Sequence, residues 1–399
     1  DQTGAPIPAA SVTLKNARTG AVMTRLTPDG GGFQFPVLPI GQYEIVVEKA
    51  SFLAYRNPSI QLDVNQTARL HVVLNLEGNR ETVTVEESAA LVQTSANVLG
   101  NVITRQEVAE LPLNGRNFSQ LGQLQLGVVP MTAGLTEQGG SRRSGHAYIV
   151  NGQRPESNNF LIDGARVVNR IDGGYALKPP IDAIDEFKIL THTAPAEYGG
   201  ASGANTSVVT RAGGNDLHGV LYEFLRNDWL DTRNFFVSHT EPLKQNQFGG
   251  TLGGPIRRNK AFFFGYYEGF RNRQGITRGS TVPTPAQRAG DFSASTVPVT
   301  DAAGAPFPGG QIPKSLQDPL SVSLLRYYPS GNVSPSFYTS TQPLANDTEQ
   351  AGIKLDFQLG TTDSLTTRYT FSKGYTSNPF SILGADLPGF PVEDDLRTQ

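Results

Sequence analysis

Hydrophobic and polar residues alternate with a period of two along much of this chain, which is the pattern of half-buried β-strands. Within residues 1–77 four short segments show it, separated by turns rich in glycine, proline, asparagine and aspartate. The four segments are residues 11–14, 33–35, 43–47 and 70–74. Short strands at this spacing predict a small antiparallel β-sandwich.

Helical and strand patterns are mixed between residues 89 and 212. Thr104 and Glu107 have the spacing of a capping box. The apolar residues that can share one face of the helix it begins are Ile103, Val108 and Leu111. Further predicted elements are strands at 148–150 and 160–163, a short helix at 180–186 and a strand at 187–190. These elements predict an α+β unit that ends near Arg211.

Longer alternating segments begin after residue 213, each close to the roughly 9–11 residues that cross a bilayer as a tilted strand. They are residues 217–226, 245–256, 261–271, 348–359 and 364–373. Their connections alternate between short turns, at 257–260 and 360–363, and long loops, at 227–244 and 272–347. Short turns on one side and long loops on the other are typical of outer-membrane barrels. Because five strands cannot close a barrel, we expect a fragment of a larger protein. We also expect its N-terminus to be missing, because the chain opens inside a predicted turn.

Composition agrees with a β-rich chain and excludes several functions. The 399 residues include 43 glycines and 27 prolines, with only 38% hydrophobic and 17% charged residues. A net charge of -3 with scattered lysines and arginines argues against nucleic acid as a partner. The chain has no cysteine, which excludes disulfides and thiol catalysis and suits a cell envelope. Neither a signal peptide nor an apolar run of helix-spanning length is present.

No residue set predicts catalysis, a metal site or a cofactor. The five histidines never form a close ligand pair, and Asp29 is a lone carboxylate in a glycine-rich turn. Three acidic residues, Asp182, Asp185 and Glu186, could pair as acid and base. On a short helix before a strand they are interpreted instead as capping and solvated charges.

The N-terminal segments resemble a known family. GAPIPAASVTL, at residues 4–14, and DGGGFQFPVLPIGQYEIVV, at residues 29–47, resemble the carboxypeptidase-regulatory-like domain. The resemblance implies an immunoglobulin-like or transthyretin-like module, which is not a peptidase despite its name.

The middle of the chain resembles the plug domain of TonB-dependent outer-membrane receptors. The resemblance rests on IDAIDEFKIL, at residues 181–190, and AEYGGASGANTSVVTRAGGN, at residues 196–215. The matching positions are Ile184, Glu186, Phe187, Ile189, Leu190, Tyr198, Gly199, Ala201, Val208, Val209 and Thr210. The chain departs at residues 191–195, where the family usually has Arg-Gly-Pro. LPLNGRNFSQL, YIVNGQRPESNNFLIDG and AEYGGASG resemble the Oar-like branch, which carries a regulatory-like domain in front.

Together these patterns predict a mainly β chain with four parts. They are a regulatory-like β-sandwich (residues 1–77), a linker (78–88), a plug domain (89–212) and the first strands of a transmembrane antiparallel barrel (213–399). The resemblance implies location in the outer membrane of a Gram-negative bacterium, in contact with its lipid, with sandwich and plug on the periplasmic side. It implies no enzymatic activity.

The resemblance also implies partners. Receptors of this family carry a short extended TonB box before the plug, and the segment that resembles it is Glu81, Thr82, Val83, Thr84 and Val85. A TonB-type inner-membrane protein would bind it and deliver energy. The alternative is an ordinary β-strand that ends the sandwich or begins the plug. The imported molecule is left open, because such receptors carry siderophores, cobalamin, glycans and peptides. Arg142 and Arg143 are candidate donors to an anionic ligand, although a solvated loop is the simpler interpretation.

Two other functions remain compatible with the sequence alone. One is a surface-exposed structural or adhesive protein that binds polymers through the sandwich and the long loops. The other is a secreted enzyme with accessory β domains. The total number of strands is not determined by the sequence.

Overall fold

The computed structural model describes residues 1–64, 66–76, 83–84, 100–111, 113, 116–130, 148–168, 174–191, 198–233, 240–360, 363–380 and 392–398. These residues form three main sheets that follow one another along the chain, with five, five and six strands. The mainly β fold class predicted from the sequence is confirmed. Among the described residues, no helix is both long and apolar enough to cross a membrane.

The N-terminal sheet has the strand order β2-β1-β3-β4-β5. Its strands are β1 (Ser11–Asn16), β2 (Val22–Leu26), β3 (Gly41–Glu48), β4 (Tyr55–Leu62) and β5 (Val83–Thr84). Alternate residues of β3, namely Tyr43, Ile45 and Val47, are buried on one face of the sheet. The period-two pattern therefore reports burial correctly in this domain.

Two of the predicted N-terminal strands are wrong. Residues 33–35 and 70–74 form no strand, yet Phe33, Phe35 and Leu70 pack against the buried face of the sheet. Apolar alternation records which side chains face a core, whereas a strand also needs a neighbouring backbone to pair with. These segments cover the sheet without being strands of it.

The second domain is built on the strand order β10-β9-β12-β11-β6. Its elements begin with β6 (Gly100–Thr104), α1 (Arg105–Glu110), β7 (Val128–Pro130) and β8 (Tyr148–Val150). They continue with β9 (Asn159–Ile162), β10 (Ala165–Arg166), β11 (Ile184–Leu190) and β12 (Asn205–Thr210). Strands β7 and β8 pair separately, and β12 runs parallel to β9.

Helix α1 begins as the sequence predicts. The backbone N–H and the hydroxyl of Thr104 both donate to the Glu107 carboxylate, at 2.8 and 2.9 Å. Val108 is buried on the helix, and Ile103 is buried on the preceding strand β6 and not on a face of the helix. The predicted helix and its capping pair are therefore confirmed.

The predicted helix at 180–186 is wrong. Only Ile181–Ala183 form a single 3₁₀ turn, and the strand β11 already begins at Ile184. Strand β11 pairs with β12 on one side and β6 on the other. Hydrogen bonds to two neighbouring strands outweigh the weak local preference of a short segment for a helix.

The third sheet contains six antiparallel strands in sequence order. They are β13 (His218–Asn227), β14 (Leu243–Arg257), β15 (Ala261–Thr281), β16 (Phe337–Gln358), β17 (Ser364–Asn378) and β18 (Val392–Thr398). Two short helices, α2 (Pro285–Arg288) and α3 (Pro319–Leu325), lie in the long connection after β15. All five predicted strands are present. Strands β15 and β16 extend well beyond their predicted ends toward that connection, and β18 was not predicted.

The two faces of this sheet differ. Leu221, Leu252 and Tyr369 are exposed on one face, whereas Phe264 and Glu268 are buried on the other. Phe264 and Tyr266 pack against Ala183 of the second domain. The second domain therefore lies against the inner face of the wall formed by β13–β18.

Candidate functional site

The candidate site is the contact between the second domain and this wall, and it is centred on Asp163. Asp163 and Gly164 form the turn between β9 and β10, with φ values of 47° and 82°. Glycine and aspartate tolerate this left-handed region better than most residues, which explains the Asp-Gly pair at the end of the FLIDG motif. The turn places the Asp163 carboxylate against the wall.

Two cations of the wall converge on that carboxylate. Arg368 on β17 donates to Asp163 Oδ2 at 2.8 Å, and Lys354 on β16 lies 3.5 Å from Oδ1. Thr210 adds its backbone N–H at 2.7 Å and its hydroxyl at 2.5 Å. The three charged side chains are each less than one-fifth exposed. Buried charges persist only when they are paired and hydrogen-bonded, so we call this group the wall contact: Asp163, Thr210, Lys354 and Arg368.

The wall cations also bind the backbone of the second domain. Arg368 donates to the carbonyl oxygen of Ile162 at 2.8 Å, and Lys354 donates to that of Thr210 at 3.2 Å. Each cation thus joins a main-chain oxygen and the same carboxylate. The contact depends on the position of the turn as well as on charge.

Arg116 makes a second link between the two domains. Its guanidinium lies 2.5 Å from the Asp182 carboxylate and stacks 4.2 Å from the ring centre of Phe224 and 5.1 Å from that of Tyr222. Asp182 belongs to the second domain, whereas Phe224 and Tyr222 lie on β13. A planar guanidinium can bind a carboxylate along its edge while its face covers aromatic rings, which an ammonium group cannot do.

The wall carries a buried carboxylate of its own beside this link. Glu268 on β15 accepts hydrogen bonds from Tyr222 Oη at 2.8 Å, Gln247 Nε2 at 3.1 Å and Gln350 Nε2 at 2.7 Å. The donors come from the three strands β13, β14 and β16. Tyr222 therefore connects Arg116 above its ring to Glu268 at its hydroxyl.

The interpretation of Glu186 as a solvated charge is wrong. Glu186 is only 8% exposed, and its carboxylate accepts the backbone N–H of Val64 at 2.7 Å. Burial is the main cause that raises the pKa of Glu186 to about 7. Asp182 and Asp185 are paired instead, with Arg116 and Arg18. The three acids are held apart in structural contacts.

Most of the predicted binding residues fall outside the described part of the chain. Arg142, Arg143, Glu81, Thr82 and Val85 lie outside the described residues. Val83 and Thr84 form β5, which pairs in parallel with Tyr55 and Arg56 of β4.

Sequence reasoning missed Asp163 and Arg116, although both lie within quoted motifs. The useful signal was a charged residue beside a glycine, in FLIDG and in LNGRN. In FLIDG the glycine permits the tight turn between β9 and β10 that presents the Asp163 carboxylate to the wall.

Three family models match successive parts of the chain. The Carboxypeptidase regulatory-like domain matches residues 1–75, and the TonB-dependent Receptor Plug Domain matches residues 92–205. The Outer membrane beta barrel domain matches residues 209–399. The three matches follow the order of the three sheets.

A curated relative is the TonB-dependent transporter Oar of Myxococcus xanthus, 26% identical over 269 residues. The match covers 63% of this chain and 24% of the relative, so the chain spans about a quarter of its length. A mutant ferric enterobactin receptor of Pseudomonas aeruginosa matches with 16% identity and a TM-score of 0.39, over 72% of this chain and 34% of that one. The siderophore receptor PirA of Acinetobacter baumannii matches with 15% identity and a TM-score of 0.37, over 75% and 43% of the two chains.

Proposed function

The chain belongs to the TonB-dependent outer-membrane receptors, and from that premise we propose that the full-length protein imports a scarce ligand through a plugged barrel. It is a protein of the Gram-negative outer membrane. The proposed parts are a regulatory-like domain (1–77), a linker (78–88), a plug (89–212) and the barrel wall (213–399). The regulatory-like domain and the plug face the periplasm in this proposal.

The wall contact carries the proposal. A plug must close the barrel at rest and move during import, so it needs contacts that are specific but not covalent. Asp163 supplies them, because one carboxylate binds both Arg368 and Lys354. Charged hydrogen-bonded pairs of this kind fix an orientation and can still separate when work is done on them.

We infer that this work comes from a TonB-type inner-membrane protein that binds the segment Glu81–Val85. An extended segment can be recognised by strand addition, mainly through main-chain hydrogen bonds. Val83 and Thr84 pair with β4 over only two residue positions. A partner that offers a longer strand edge would compete well with so short a pairing.

The ligand would bind between the plug and the long wall connections at 228–242 and 282–336, because pockets favour domain interfaces. Arg142 and Arg143 are proposed donors to an anionic ligand there. The proposal does not choose among siderophores, cobalamin, glycans and peptides as the cargo. The role is transport and not catalysis.

Energised uptake tests the proposal. The purified full-length protein is incubated with spent culture medium, and the compounds that it binds are identified by mass spectrometry. These compounds are then labelled and offered to cells with and without the inner-membrane energiser. We expect uptake only when both proteins are present. Polymer adhesion without uptake, or uptake that needs no energiser, would contradict the proposal.

A further inference from the structure

The turn between β1 and β2, residues 17–20, extends from the N-terminal domain toward the rest of the molecule. Asn16 shapes it, since its side-chain oxygen accepts the backbone N–H groups of Arg18 at 3.0 Å and Thr19 at 2.9 Å. Gly20 ends it with a φ of 67°. A side chain at Gly20 would overlap the side-chain oxygen of Asn259, so the turn closely approaches the wall. We call residues 17–20 the docking turn.

The docking turn meets the segment that joins plug and wall. Asn215, between β12 and β13, donates from Nδ2 to the Thr19 carbonyl at 2.9 Å and from its backbone to the Arg18 carbonyl at 3.3 Å. Asn215 also exchanges hydrogen bonds with Asn259 in the β14–β15 turn, at 2.8 and 2.9 Å. One asparagine thus binds the N-terminal domain to the wall.

Arg18 links the docking turn to the plug sheet as well, because Asp185 lies on β11. Its guanidinium lies 3.5 Å from the Asp185 carboxylate and donates to the Ala212 carbonyl at 3.4 Å. A side chain at Gly214 would lie 2.9 Å from Arg18 Cγ, so glycine permits the approach. The ion pair is partly exposed and contributes position more than energy.

A second attachment joins the N-terminal domain to the plug sheet. Val64, just after β4, is 5% exposed. Its N–H donates to Glu186 at 2.7 Å, and its carbonyl accepts Lys188 Nζ at 3.0 Å. Glu186 and Lys188 both lie on β11 and are buried. A residue whose N–H and carbonyl are both held by buried side chains of one strand is fixed in both position and direction.

From these two attachments we propose that the N-terminal domain is a latch between plug and wall. Val64 is fixed to the plug through Glu186 and Lys188, and the docking turn is fixed to the wall through Asn215 and Asn259. The plug therefore cannot shift relative to the wall while both attachments hold. Import requires one of them to open.

The position of β11 gives the latch a mechanical role. Strand β11 pairs over five positions with β6, the edge strand of the plug sheet and the first described element after the linker. Force on the linker would reach β6 first and β11 next. The latch holds β11 and so resists the displacement that β6 would transmit. This inference does not depend on which ligand is imported.

A reversible disulfide tests the latch, since the chain has no cysteine of its own. Gly20→Cys with Asn259→Cys joins the docking turn to the wall, and Thr19→Cys with Asn215→Cys is a second pair that avoids the positive φ of Gly20. Hydrogen exchange of a peptide covering residues 184–190 is measured in the purified full-length protein, oxidised and reduced. The control disulfide is Thr13→Cys with Thr24→Cys, a cross-strand pair inside the N-terminal domain.

We expect oxidation of either docking pair to slow exchange in β11 at least about threefold, and the control disulfide to leave it unchanged. Adding Arg18→Ala, Glu186→Ala and Lys188→Ala together to a docking pair should remove the effect of oxidation, because the contacts of Arg18 and Val64 with β11 are then lost. Failure of both docking pairs to form a disulfide would show that the domain does not dock. Disulfide formation without slower exchange would show that the domain is tethered but is not a latch.

Discussion

The carboxylate of Asp163 lies 2.8 Å from the guanidinium of Arg368, and this ion pair joins the β9–β10 turn of the plug to strand β17 of the wall. The two residues are 205 positions apart in the chain. Lys354 shares the same carboxylate. Removing the anion would therefore leave two cations without their partner in a site that is less than one-fifth exposed.

Asp163→Asn should loosen the plug without unfolding the wall. Leaving a buried charge unpaired costs on the order of 3–5 kcal/mol, and the remaining hydrogen bonds reduce the loss to about 3 kcal/mol. The change in plug stability is measured by urea unfolding of the purified full-length protein, with protease cleavage of the plug as the signal of unfolding. Asp216→Asn, an exposed position near the start of β13, is the control. Equal midpoints for the two variants would contradict the role of the wall contact.

Arg116→Lys should destabilise the plug although the charge is kept. Lysine keeps the charge near Asp182 but cannot also stack its plane on Phe224 and Tyr222, so we expect a loss of about 1–2 kcal/mol in plug stability. The same urea experiment measures it. Arg154→Lys, at an exposed site in the plug, is the matched control and should have no effect. Wild-type stability of Arg116→Lys would mean that stacking contributes nothing.

Docking of the N-terminal domain should depend on pH through Glu186. Burial is the main cause that raises its pKa to about 7; the hydrogen bond from Val64 and the charge of Lys188 lower it, and the charges of Asp63 and Asp185 raise it. Because the pKa of Glu186 is higher in the docked state, protonation of Glu186 favours docking. This contribution is fully present at a pH below the ordinary pKa of a glutamate, and it is lost as the pH rises through about 7. We expect the docking equilibrium constant to fall roughly tenfold between pH 5.5 and pH 8.

Spin labels at the exposed positions Lys15 and Arg258 report this change as a loss of the short-distance population. Glu186→Gln removes the titrating group while keeping an acceptor for Val64, so its distances should not vary with pH. A pH response that persists in Glu186→Gln would assign it to another group.

Val83→Pro should abolish energised uptake while barrel insertion and ligand binding persist. Proline removes one backbone donor and fixes φ, so strand addition to the partner is disrupted at that position. Val83→Ala retains the N–H and serves as the control, with uptake close to that of the wild type. Normal uptake by Val83→Pro would leave residues 81–85 as a simple linker strand.

Labelling of single cysteines tests the proposed orientation. The turn at 258–260 should face the periplasm and the connection at 282–336 the outside, so a membrane-impermeant maleimide should label Ala303→Cys but not Arg258→Cys in intact cells. Both positions are exposed in the structure, and both should react after the outer membrane is permeabilised. Labelling of Arg258→Cys in intact cells would reverse the topology.

The sequence by itself determined the elements whose signals are local. The capping pair Thr104 and Glu107 starts a helix because its hydrogen bonds span three residues. Apolar and polar residues alternate in the five predicted wall strands because each strand has one apolar and one polar face. This alternation can be recognised within a single segment of sequence. Such features need no knowledge of what lies opposite.

Only the tertiary structure decided which segments pair and which charges meet. Residues 33–35 alternate as a strand does but form no strand, whereas Ile184 begins a strand because β12 and β6 lie on either side of β11. Glu186 has the sequence context of a surface acid until Val64 covers it. The partners of Asp163 lie on strands far along the chain. Their encounter follows from the path of the whole chain, because pairing and burial depend on neighbours in space that local sequence does not record.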